Sequence, residues 1–175
     1  GPAQEAIEPG TYPVRVAQVI DCGLQPQRPY QGQEKPPAHE IMLTYEFLDE
    51  FCLDENGEED VEKPRWLSET LPLRSLLAEK AKSTQRYYAL DPNEALGGDF
   101  TQLVGVAANA SIVQNAGKGK NAGKVYNNVQ ALSSMRAKDA NKAPELKKEG
   151  KVLDLDDPDL DVFNSLPEWL QDKIK

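Results

Sequence analysis

Residues 39–48, HEIMLTYEFL, alternate along the chain. Ile41, Leu43, Tyr45 and Phe47 share one parity, and Glu40, Thr44 and Glu46 share the other. Successive side chains of a strand point to opposite faces, so the segment reads as a strand with one buried side. A half-apolar strand cannot stand alone, and the rest of the chain must close that side. Residues 11–22, TYPVRVAQVIDC, repeat the pattern, with Tyr12, Val14, Val16 and Ile20 against Thr11, Arg15 and Asp21. A third strand is predicted at 65–71, RWLSETL, where Leu67 and Leu71 oppose Trp66, Ser68 and Thr70. Residues 106–114 and 125–132 complete a set of five.

The connections are as informative as the strands. Residues 23–38 hold four prolines and two glycines, which makes a long loop carrying Arg28, Tyr30 and Lys35. An acidic turn around Asn56-Gly57 joins the second strand to the third. Residues 73–90 are rich in helix formers, and Asp91-Pro92 stops them. Residues 97–105, GGDFTQLVG, read as a short helical turn or loop. The order is strand, long loop, strand, strand, helix, strand, hairpin, strand. That predicts a mainly β chain, a five-stranded OB-fold barrel with a helix between strands 3 and 4, plus a C-terminal acidic and helical extension.

Three regions follow from this. Residues 1–10 form an N-terminal extension, in which Gly1-Pro2 reads as the remnant of a cleaved purification tag. Residues 11–133 form the barrel. Residues 134–175 form a polar tether, then an acidic stretch, VLDLDDPDLDVF, expected to lack regular structure, then a short helix. In that helix Ser165 and Glu168 make a capping-box pattern, and Leu166, Trp169, Leu170 and Ile174 make an apolar stripe. Apolar residues make up 39 % of the chain and mean hydropathy is −0.62, which predicts that part of it is not packed.

Charge is segregated. The formal net charge is −9, yet residues 110–148 hold eight Lys/Arg against two acids. Residues 34–62 hold eleven acids against one lysine, and residues 149–175 hold eight against three. Local field, not the total, governs phosphate binding. Cys22 and Cys52 are the only cysteines, which fits a reducing, cytoplasmic setting and gives no disulfide framework. His39 is the lone histidine, so a structural zinc site lacks its ligands. No apolar run approaches the about 18–20 residues needed to span a membrane.

Residues 115–128, NAGKGKNAGKVYNN, carry three glycines and three lysines and no acid. A Walker A phosphate loop is excluded, because Lys118 stands where its first glycine belongs and Val125 where its hydroxyl belongs. Two readings stay open: a soluble hairpin tip, or a phosphate clamp on single-stranded nucleic acid. Clamps of that kind join a cationic groove to aromatic rings that stack bases for about 1–3 kcal/mol each. Trp66 and Tyr126 fall on polar strand faces, as stacking rings or as side chains covered by a helix or the long loop. Tyr12, Tyr45 and Phe47 share parity with aliphatic residues and are core candidates. The candidate DNA-binding residues are Arg15, Arg28, Arg65, Lys118, Lys120 and Lys124 for phosphates, and Trp66, Tyr126 and Tyr30 for bases. No nucleophile–base pair, metal cluster or cofactor motif is present, so no enzyme activity, cofactor or small-molecule ligand is expected.

The segments EPGTYPVRVAQVID, RWLSETLPL, AEKAKSTQRYYALDP, GGDFTQLVG and GKGKNAGKVYNNV together resemble the OB-fold single-stranded DNA-binding proteins of tailed bacteriophages, particularly those of enterobacteria. The resemblance covers roughly residues 7–135. It implies a non-enzymatic protein in the host cytoplasm that coats and protects single-stranded DNA during phage replication and recombination. Preference between DNA and RNA stays open. The resemblance also implies an acidic C-terminal tail that contacts replication proteins of phage or host. This chain departs there, ending Asp172-Lys173-Ile174-Lys175. The alternative is a protein-interaction module acting through the acidic segments and the C-terminal helix.

Overall fold

The computed structural model describes residues 4–175, and Gly1-Pro2 lies outside the described residues. The strands are β1 (Gly10–Gln25), β2 (Ala38–Leu53), β3 (Glu59–Pro72), β4 (Ala107–Ala116), β5 (Val125–Ser134) and β6 (Lys151–Leu153). The helices are α1 (Lys82–Leu90), α2 (Ala137–Lys142), α3 (Leu160–Ser165) and α4 (Glu168–Ile174). The sheet runs β3-β2-β1-β4-β5, antiparallel throughout, with β6 added parallel to β1. The hydrogen-bonded path ends at β3 and at β5, so the sheet is not closed.

The alternation of the first two strands places the core. Val14, Val16, Val19, Ile41, Leu43, Tyr45 and Phe47 are buried on the inner face, against Tyr87 and Leu90 of α1 and Phe100 and Leu103 of the loop after it. Tyr12 packs edge-on against Phe47, with ring centroids 5.6 Å apart. The acidic β2–β3 turn closes at Gly57, whose φ of +78° suits glycine, while Asp54 accepts from the amides of Asn56 and Glu58.

Ile20 departs from its predicted face. The β1–β2 register shifts between Val16 and Gln18, and this irregularity resets the alternation. Val19 therefore points inward, and Ile20 joins a second cluster on the outer face with Cys22, Met42, Leu153, Leu166 and Leu170.

The helix expected over 73–90 forms only from Lys82. Thr84 donates its hydroxyl to the Ser75 carbonyl, and Ser83 accepts from the Arg74 amide. These local bonds hold residues 75–81 in turns instead of a helical ladder. Leu77 is left almost fully exposed. The turn expected in 97–105 is a 3₁₀ turn at Phe100–Gln102, capped by the Asp99 carboxylate.

The region after β5 is not a loose extension. α2 and the following residues cross the outer face, β6 extends the β1 edge at Gln18–Ile20, and α3 and α4 cover the second cluster. The stretch expected to be irregular contains the end of β6 and most of α3. The predicted capping box is absent. Ser165 closes α3 by donating to the Val162 carbonyl, and Pro167 occupies the cap position of α4 with no side-chain bond. Leu166 and Leu170 are buried, whereas Trp169 points away and is 62 % exposed. No described helix is long and apolar enough to cross a membrane.

Candidate nucleic-acid interface

Arg15 leaves the predicted phosphate set. It is buried, and its guanidinium donates to the carbonyls of Pro144 (2.7 Å), Gly105 (2.8 Å), Ala140 (3.1 Å) and Ala143 (3.2 Å). Polarity at position 15 thus reflects an internal anchor for the returning chain. Next to it in register stands Glu46, 1 % exposed, which accepts from the Lys147 amide at 2.8 Å and from the Trp66 indole N–H at 3.0 Å. Residues 140–148 therefore form a strap across β1 and β2, fixed by one buried cation and one buried anion. The second row behaves alike: the Thr44 hydroxyl bonds both Gln18 and Ser68.

Trp66 lies on the outer face of β3, as its parity predicts, but it is half-buried. The cover comes from the strap: Lys148 Nζ lies 5.8 Å from its ring centroid. Arg65 alternates to the opposite side of the strand. It sits near Glu50, whose carboxyl is pushed up by burial and by Asp49 and Glu59, with Arg65 pulling the other way.

Arg28 and Tyr30 are exposed in the β1–β2 loop, and the Lys35 ammonium lies 4.9 Å from the Tyr30 ring centroid. That loop follows Gln25. The β4–β5 tip lies beyond Gly10, which pairs with Ile112. The two loops stand at opposite ends of β1, and the fold does not gather Arg28 and Tyr30 with the lysine tip.

The tip itself is open. Lys118, Lys120 and Lys124 are all exposed around a short 3₁₀ turn at Gly119–Asn121. Gly117 is required by packing: a Cβ there would lie 2.3 Å from the Asn121 carbonyl oxygen and 2.9 Å from the Tyr126 ring. The loop closes on Tyr126, which stays 44 % exposed. Lys124 just before β5, then Tyr126 and Asn128 on it, follow at alternate positions about 7 Å apart, and Gln130 comes next at the register irregularity opposite Ser111 and Ile112; all four are exposed.

Beside this row lies the gap between β3 and β5, a cleft of about 580 Å³. Ser68, Glu69 and Thr70 line one wall, Asn128 and Gln130 the other, and Lys82 of α1 stands at one end. The Arg86 guanidinium bridges the walls, donating to the Glu69 carboxylate at 2.9 and 3.2 Å and to the Val129 carbonyl at 3.1 Å. The Tyr45 hydroxyl also donates to Glu69, at 2.5 Å. Burial and the adjoining Glu69 carboxylate push the Tyr45 phenol well up. Parity marks Ser68 and Thr70 as polar positions beside Trp66, and Asn128 and Gln130 share the parity of Tyr126. Nothing in the sequence marked Lys82, Glu69 or Arg86, because the gap between two chain-distant edges exists only after folding.

Among the described residues, no group of three or more His, Cys, Asp or Glu could hold a metal ion. No family model, curated protein or solved structure matches the chain.

Proposed function

We propose that this chain is a sequence-tolerant single-stranded DNA-binding protein built on an OB-type barrel whose β3–β5 seam is open. The strand order β3-β2-β1-β4-β5 and the helix between β3 and β4 support the barrel reading. The observation that carries the function is the open row on the β4–β5 hairpin. Three exposed lysines lead through an exposed tyrosine to amide side chains at the rim of a polar cleft. The lysines hold phosphates, Tyr126 stacks a base, and Trp66 with Lys148 beside it extends the track. The role that follows is coating and protection of single strands during phage replication and recombination, in the host cytoplasm, with replication proteins as partners of the C-terminal segment.

Fluorescence anisotropy of a labelled oligonucleotide across a salt series tests this. Log affinity falls linearly with log salt, by about 0.7 per phosphate neutralised. Changing Lys118, Lys120 and Lys124 together to Gln flattens the slope by about 2. A folded protein that binds no single strand even at low salt overturns the reading. Duplex DNA and single-stranded RNA as competitors report the preference among nucleic acids. A second reading, a protein-interaction module, is favoured by the exposure of Trp169 and Leu160 on α4 and α3, at 62 % and 67 %.

A further inference from the structure

The seam cleft has the chemistry of a base pocket, with a single lysine, Lys82, in its lining. Its volume of about 580 Å³ falls within the about 300–1,000 Å³ typical of small-ligand sites. Its walls offer neutral hydroxyl and amide groups from Ser68, Thr70, Asn128 and Gln130, and one carboxylate, Glu69. The carboxylate is already paired with Arg86 and presents only acceptor positions, which a donor on a neutral base can meet and a phosphate cannot. The cation nearest to Glu69 is spent internally, since Arg86 is buried and pairs with it. A carboxylate has about four acceptor positions, and Tyr45 and Arg86 fill three of those on Glu69. That leaves one position on a side chain that lines the cleft.

Resting on the single-strand reading above, we propose that the β3–β5 cleft receives one unstacked nucleobase of the bound strand and favours bases bearing an exocyclic amino group over thymine. Cytosine, adenine and guanine each carry such a donor, whereas thymine carries no amino group and has a carbonyl oxygen where cytosine has its own. Glu69 accepts from the amino group, and Asn128 and Gln130, each both donor and acceptor, adapt to the rest of the base edge. Tyr126, one alternate position along β5 from Asn128, stacks the neighbouring base. Lys82 holds a phosphate at the far end. Binding remains tolerant along most of the strand, with one discriminating position.

The test compares oligo-dC with oligo-dT, two pyrimidine strands, by anisotropy on the full chain. The expected result is about five- to tenfold tighter binding of oligo-dC. An oligo-dC analogue in which 2-pyrimidinone, lacking the amino group, replaces every cytosine falls back to the oligo-dT value. Asn128→Ala with Gln130→Ala, both on the surface, narrows the dC/dT ratio without changing the salt slope. Equal affinities, tighter oligo-dT, or an analogue that binds like oligo-dC overturns the base-pocket proposal while leaving single-strand binding intact. Absence of binding to every strand is a different result and removes the underlying reading itself.

Discussion

Two polar surfaces of this protein look alike along the chain and have opposite fates in the fold. On the outer face of β1 and β2, Arg15, Gln18, Thr44 and Glu46 are all less than a tenth exposed. Their hydrogen-bonding groups are met by the strap and by one another. Along β5 and the seam, Thr70, Asn128 and Gln130 face solvent. An alternating polar face is therefore not by itself a binding surface. It becomes one only where the chain does not return to satisfy it. The closed face carries one buried cation, Arg15, and one buried anion, Glu46, each of which bonds backbone of the returning chain. The open face carries neutral amides beside exposed lysines, which suits an outside ligand.

The largest effect that would sharpen this contrast is expected at Leu170. It is 1 % exposed and plugs the outer cluster over Ile20, Cys22 and Met42. Leu170→Ala is expected to cost about 2–5 kcal/mol in urea unfolding, against no more than about 0.5 kcal/mol for Asn128→Ala on the open face. Cys22 supplies a local readout, since burial pushes its thiol up to about 11. In a Cys52→Ser background, Leu170→Ala speeds thiol labelling of Cys22, whereas Asn128→Ala does not. Equal losses at the two sites would break the comparison.

Glu46 comes next. Its carboxylate holds the Trp66 indole and the Lys147 amide together. Glu46→Ala leaves two partly buried donors unpaired, and a loss of about 1–3 kcal/mol is expected. In a Trp169→Phe background, Trp66 is the sole indole, and its emission should shift to the red as the strap lifts. An unshifted spectrum with full stability would mean that the strap is held elsewhere.

The contrast between the faces also measures what the sequence made legible. Period-two alternation was enough to locate strands and the core identity of Tyr45 and Phe47, and the glycine and lysine content was enough to locate the exposed tip, because each depends on local pattern alone. Ile20 was misplaced because an irregularity in register flips every later side chain, and no residue type announces it. Arg15 was misread because a guanidinium met by four carbonyls from residues 105–144 looks, in sequence, like any surface cation. The C-terminal region read as a tether because its apolar residues are sparse. Leu153, Leu166 and Leu170 suffice once Ile20, Cys22 and Met42 supply the other half of the cluster. The seam cleft was invisible because β3 and β5 approach only through the fold.

The smallest expected effect is a pH dependence confined to the closed face. Lys173 of α4 pairs with Glu40 of β2 at 2.9 Å, and Gln27 donates to the same carboxylate. Burial pushes the Glu40 carboxyl up, but the Lys173 ammonium paired with it and the Gln27 hydrogen bond outweigh it and hold the group below its ordinary value. The folded protein thus binds this proton less readily than the unfolded chain. The stabilisation is complete above the unfolded carboxylate pKa of about 4.3 and is lost as pH falls through the lower folded value. Docking of α4 should loosen over that acid window. Hydrogen exchange in residues 151–175, corrected for the intrinsic pH dependence of exchange, should quicken there. Glu40→Gln should raise exchange at neutral pH and flatten its acid dependence. Residues 125–134 hold no Asp, Glu or His, so exchange in β5 away from the Arg86 contact at Val129 should change less over the same range. Parallel acid loosening of both regions would mean that they open as one unit, and that the C-terminal segment is part of the sheet's own fold instead of a cover upon it.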